Sequence, residues 1–243
     1  MGYSSVDSSW VVTNPGANPE DLIRRLSNAS LMISDFDETD APSPAKRIAY
    51  KSLLNPSYWG PRYLLWLFTT EYDLLLHGKS VESNAWYNFL HLIPPKELGR
   101  IRQEHTAEYA RRRLYNGVST FYQMLPNSKK VSMSRGIKEF LEGFGEVLGS
   151  EIKERSFDKI KTTEIILKEH PDRTRVILRG DSAEDKESAV YLIGKKERGE
   201  LDDVVTIHVA KSHKNADPFY DINTSTDHTG LVSLMEELVP TRL

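Results

Sequence analysis

Cysteine is absent from the 243 residues, which excludes disulfides, thiolate metal ligands and a Cys nucleophile. Neither charge sign dominates: 32 Lys and Arg against 35 Asp and Glu leave a net charge of −3. That is not the basic field a nucleic-acid partner calls for, and Arg111-Arg112-Arg113 is too short to change the balance. Long apolar runs are missing too. The most apolar one, Tyr63–Phe68, meets Glu71 and Asp73 well short of the ~20 residues needed to cross a bilayer. The opening Met1-Gly2-Tyr3-Ser4-Ser5-Val6 lacks a basic segment and an apolar one, so it does not read as a secretory signal. Val6 also stands where a myristoylation signal has Ser or Thr. These absences predict a cytoplasmic protein with neither membrane nor nucleic acid as partner. What is present is ordinary for a globular chain, 39% hydrophobic and 28% charged, enough for one large domain or a core plus a smaller one.

The chain is organised around Leu31-Met32-Ile33-Ser34-Asp35-Phe36-Asp37-Glu38-Thr39-Asp40. The apolar start reads as a short buried strand that delivers Asp35 to its carboxyl end, where open α/β sheets bind ligands. Two acids two residues apart repel unless a cation or a shared proton intervenes. A calcium loop does not fit, because Thr39 and Asp40 stand where its acid and glycine belong. Upstream, residues 1–17 read as a loosely held arm, and Asn18-Pro19-Glu20-Asp21 starts a helix that ends near Asn28. Downstream, Pro42 and Pro44 break the pattern, and helical spacing follows over 45–54, 61–77, 81–93, 96–115 and 118–125. Aromatics crowd this region, as in the core of a small bundle.

From Lys130 strands and helices alternate. Strands are predicted over 130–133, 151–157, 175–178 and 203–210, and helices over 136–148, 163–170, 184–195 and 229–238. Alternation of this kind implies a parallel sheet covered on both faces. Polar groups follow several of these strands: Ser132, with Ser134 as its rival; Lys161, with Lys159 two residues earlier; and Gly180-Asp181-Ser182-Ala183-Glu184-Asp185. Parallel strands would bring such ends to one edge, near Asp35 and Asp37. Each has a plainer reading, Asp181 and Asp185 as helix caps and Ser132 as a turn residue.

In this order the residues resemble the haloacid dehalogenase (HAD) superfamily of phosphohydrolases. Asp35-Phe36-Asp37-Glu38-Thr39 is similar to its first motif, Ser132 to its second, Lys161 to its third and Gly180–Asp185 to its fourth. The resemblance implies a three-layer Rossmann-like α/β core with a parallel sheet, formed by residues 1–40 and 127–243. An all-helical cap domain, residues 41–126, would be inserted after the first core strand. It implies a phosphatase for a small-molecule phosphate ester, with Asp35 as nucleophile and Asp37 as general acid and base. Ser132 and Lys161 would bind phosphate, and Asp35, Asp37 (through its carbonyl), Asp181 and Asp185 would serve a Mg2+ ion. A phosphomutase and a catalytically silent partner-binding protein are the alternatives. The silent reading draws on Glu38 and Asp40, which replace the glycine and the apolar residue usual in the family.

Overall fold

Asn18 starts the first helix by accepting a hydrogen bond from the Glu20 amide (2.9 Å), with Pro19 in the first turn. The computed structural model describes residues 9–43, 93, 95–134, 138–154 and 158–238. Among these, the strands are β1 (Val11–Thr13), β2 (Leu31–Asp35), β3 (Lys129–Ser134), β4 (Glu151–Glu154), β5 (Arg175–Gly180), β6 (Asp203–Ala210) and β7 (Ile222–Ser225). The helices are α1 (Pro19–Ser27), α2 (Pro95–Glu104), α3 (Ala107–Arg111), α4 (Val118–Gln123), α5 (Glu142–Leu148), α6 (Lys159–Glu169), α7 (Ala183–Glu197) and α8 (Thr229–Leu238). The strands form one mixed sheet in the order β1-β7-β6-β5-β2-β3-β4, parallel except for β1 against β7.

β2 lies at the centre, with Ile33 opposite Val131 on one side and Leu178 on the other. All five of its residues are buried, which is why it reads as a continuous rather than an alternating run. The pleat sends alternate side chains to opposite faces. Leu31 and Ile33 join Val176, Leu178, Ile166, Ala189 and Leu192 beneath α6 and α7. Met32 and Ile177 join Leu22, Phe121, Tyr122, Phe144 and Leu231 beneath α1, α4, α5 and α8.

Several expectations need revision. Part of the supposed arm is a strand, since Val11–Thr13 pairs with Ile222–Thr224. The helix expected over 96–115 is broken at Thr106, whose hydroxyl caps α3 through the Tyr109 amide (3.4 Å). The helix expected from Thr163 begins four residues earlier, because Asp158 accepts from the Lys161 amide and caps α6. Ala110, Val118, Phe121, Tyr122 and Leu125, assigned above to the inserted region, pack in the same cluster as Leu22, Leu26 and Leu231. The layer covering the sheet therefore begins before residue 127. The helical patterns at 45–54 and 61–77, and that at 81–93 apart from Ile93, lie outside the described residues. No helix among the described residues is long and apolar enough to cross a membrane.

Candidate functional site

The parallel register brings the carboxyl ends of β3, β2 and β5 side by side. Asp35 closes β2 and is 5% exposed. Its Oδ1 accepts from the Phe36 amide (3.1 Å), and its Oδ2 lies 2.9 Å from Nζ of Lys159 on α6. Lys159 is itself buried and also ion-paired to Asp185 on α7. Asp185 is completely buried. Its Oδ2 accepts from the amides of Asp181 (3.2 Å) and Ser182 (3.0 Å) and from the Ser182 hydroxyl, a reciprocal cap that starts α7. Gly180 makes this possible: a Cβ there would overlap the Asp185 carboxyl group.

Oxygens of Asp35, Asp181 and Asp185 all lie within 4.8 Å of one another. Such crowding is unfavourable for like charges and suits a hard divalent cation, which takes oxygen ligands. Asp181 registers the crowding. Burial, reinforced by the Asp185 carboxylate and opposed by Lys159, raises its carboxyl to about 6.

Asp37 stands on the turn after β2, where its backbone forms a bridge with Ala41. Its Oδ2 accepts from the Ser134 hydroxyl (2.6 Å), while its buried Oδ1 has no hydrogen-bond partner. Glu38 next to it adopts a left-handed conformation (φ 63°), the one that glycine favours. Its carboxylate takes the Ser43 amide (3.4 Å) and the Tyr115 hydroxyl (3.5 Å) and faces Lys211 (3.3 Å). Burial and the Glu38 charge push the Tyr115 hydroxyl up to about 12.

Two expected site residues stand elsewhere. Ser132 is fully buried below the strand end, where its hydroxyl meets Ser150 (2.8 Å) and Tyr122 (3.3 Å). The serine at the site is Ser134, one pleat repeat further along the same face. Lys161 is exposed on α6. Residues two apart on a helix are separated by ~200°, so a buried Lys159 turns Lys161 toward solvent. Asp35, Asp181 and Asp185 gather in one cluster, and Asp37 stands on the turn after β2 beside Ser134.

A second buried polar group went unforeseen. Asp40 turns away from the acids and grips Arg179 of β5 (2.7 Å), with Tyr122 (2.6 Å) and Ser34 (3.3 Å) donating to its other oxygen. Arg179 reaches on to Nε2 of His228 (2.6 Å), and Nδ1 of His228 lies 2.9 Å from the Thr226 carbonyl. Burial, with the adjacent guanidinium, lowers the His228 imidazole to about 3, so it is neutral and accepts from Arg179. Burial pushes the Asp40 carboxyl up, against the pull of Arg179. The legible signal was a charge inside an otherwise apolar strand, Arg179 after Val176-Ile177-Leu178.

No family model matches the chain, and no curated protein matches it. Among solved structures it is similar to a novel cobalamin-binding protein from Desulfitobacterium hafniense DCB-2, at 13% identity and a TM-score of 0.30 over 91% of this chain and 98% of that one. A likeness at that level carries no argument about ligand or chemistry.

Proposed function

We propose that this protein is a Mg2+-dependent phosphatase of the HAD superfamily, acting on a small phosphorylated metabolite through an aspartyl-phosphate. In this reading the sheet is the three-layer core, and the residues between β2 and β3 include a helical cap that selects the substrate. The observation that carries the proposal is the convergence of Asp35, Asp37, Ser134, Lys159 and Asp181 at adjoining strand ends. Asp35 attacks phosphorus in line. A bond from its carboxylate oxygen to phosphorus forms as the bond to the ester oxygen breaks, and Asp37 gives that leaving oxygen its proton. Water then attacks phosphorus and loses a proton to Asp37. The acyl-phosphate bond breaks, inorganic phosphate is released and both acids are restored.

Lys159 and Ser134, in place of Lys161 and Ser132, bind the outer phosphoryl oxygens, where charge collects in a loose transition state. Asp185 orients Lys159 and the β5–α7 turn. The donor set fits Mg2+: clustered carboxylates of Asp35 and Asp181, with the Asp37 carbonyl, are hard oxygen ligands. When bound, the ion offsets the repulsion between Asp35 and a phosphate dianion and polarises the phosphoryl group.

Asp40 bears on the silent alternative. Its carboxylate is committed to Arg179 rather than facing the acids, so of the two departures from the usual motif only Glu38 stands at the site. The test is a panel of phosphate esters, including an aryl phosphate, with and without Mg2+. Metal-dependent release of phosphate is expected, with a loss of at least about 10⁴-fold in Asp35→Asn. Unchanged turnover in that variant, or none by the parent across the panel, overturns the proposal.

A further inference from the structure

Ser34 and Asp35 are neighbours in sequence but enter different polar clusters on opposite faces of the sheet. The turn after them crosses from one cluster to the other. Its backbone is pinned in sequence by Phe36 N to the Met133 carbonyl (2.9 Å), Glu38 N to Ala41 (2.9 Å) and Asp40 N to Phe36 (3.0 Å). The Asp40 carbonyl accepts from the Tyr115 amide (3.0 Å), and the Asp40 side chain is sunk into Arg179. Arg179 stands two residues before Asp181, and its guanidinium also lies over the Phe121 ring (5.0 Å). One fully buried ion pair therefore joins the turn bearing Asp37 to β5, the strand that leads into Asp181.

A buried ion pair is a poor way to gain stability, since apolar residues of similar volume often serve as well or better. It does impose direction: a carboxylate held by Arg179, Tyr122 and Ser34 at once has one place to sit. A side-chain anchor of this kind adds to the backbone bonds of a turn that carries strain of its own. Glu38 occupies a left-handed conformation that is strained for a residue with a Cβ, and the usual relief, glycine, is missing.

We propose that the Asp40–Arg179 pair, backed by Tyr122 and His228, is a positioning device that sets the Asp35–Asp37 turn against Asp181 and so fixes the spacing of the cation ligands. The proposal extends the hydrolase reading and depends on it for the identity of those ligands. The device itself is a property of the turn.

The experiment compares the parent with Asp40→Leu/Arg179→Met, which replaces the pair by apolar side chains, and with Asp40→Asn, which keeps the shape and removes the charge. Amide hydrogen exchange and Mn2+ titration by calorimetry are measured on each. Both variants are expected to exchange Glu38 and Asp40 amides about tenfold faster than the parent, with the β6 amides unchanged. Mn2+ binding is expected to weaken by about 10- to 100-fold. On a turned-over ester, kcat falls while KM stays within about twofold. If the double variant does not fold, Asp40→Asn alone decides. Exchange at Glu38 and Asp40 within about twofold of the parent overturns the device. A parent that binds no Mn2+ overturns the cation reading instead, leaving the exchange rates to judge the anchoring.

Discussion

Two buried ionic clusters lie at the same end of the sheet, one on each face, and they are built to opposite specifications. On the α6–α7 face, Asp35, Asp181 and Asp185 crowd their oxygens together beside Lys159. On the other face, Asp40 and Arg179 cancel, and Tyr122, Ser34 and a neutral His228 add hydrogen bonds, while the buried Nε of Arg179 makes none. A cluster crowded with like charge is open to a ligand; one closed by a matched ion pair fixes backbone. Composition does not separate them, since both mix acids with a base. The pairing of opposite charges among the described residues does.

The largest effect expected on this contrast comes from breaking the closed cluster. Arg179→Met leaves the Asp40 carboxylate buried without its cation and should cost about 3–5 kcal/mol in urea unfolding. Restoring neutrality with Asp40→Leu in the same chain should recover most of it. A single variant as stable as the parent would mean that the cluster is not closed as described. In the open cluster the comparable perturbation is Gly180→Ala, whose methyl group meets the Asp185 carboxyl. Asp185 must then leave Lys159 and the α7 cap. The expected outcome is a loss of about 1–3 kcal/mol in stability. Mn2+ affinity should fall about 10- to 100-fold, read by calorimetry.

A smaller effect sharpens the contrast through pH. His228 is held near 3 in the folded protein, against about 6.5 when the chain unfolds. The unfolded chain therefore binds a proton on His228 through this interval while the folded one does not. Stability is lost as pH falls from about 6.5 toward 3, by up to about 1.4 kcal/mol per pH unit from this group alone. Asp40 acts in the opposite sense above the usual carboxylate range, because burial raises it, so the parent curve mixes the two. His228→Gln keeps an acceptor for Arg179 and removes the titration. The difference between the parent and His228→Gln curves, from urea midpoints at pH 4–7, should slope in the stated direction; a flat difference would place a protonated His228 in the fold.

How much of this was legible follows from the same pleat and helix periods. β2 and its terminal Asp35 could be read because a buried central strand is a plain apolar run ending in a charge. Asp181 was legible from its glycine and the strand before it. The choice between Ser132 and Ser134 was not: both face the same way, and only the length of β3, which runs to Ser134, decides. β1 and β7 escaped notice because Val-Val-Thr and Ile-Asn-Thr-Ser are short and partly polar, and pairing rather than propensity makes them strands. Arg179 and Asp40 lie 139 residues apart, a partnership that no local pattern announces.

The last contrast is between two lysines that differ only in phase on α6. Asp158 accepts from the Lys161 amide, so Lys161 serves the helix cap through its backbone while its side chain meets solvent. Lys161→Ala keeps that amide and should leave stability within about 0.5 kcal/mol and turnover within about twofold. Lys159→Met removes the sole cation that the described residues place between Asp35 and Asp185, so it should cut turnover by at least about 10²-fold. Because the acids then repel more strongly, apo-protein stability should drop, and added Mn2+ should restore more of it in this variant than in the parent. Thermal unfolding with and without Mn2+ reads this directly. If instead Lys161→Ala loses turnover and Lys159→Met keeps it, α6 is rotated by roughly half a turn from the orientation described, and the open cluster has a different cation.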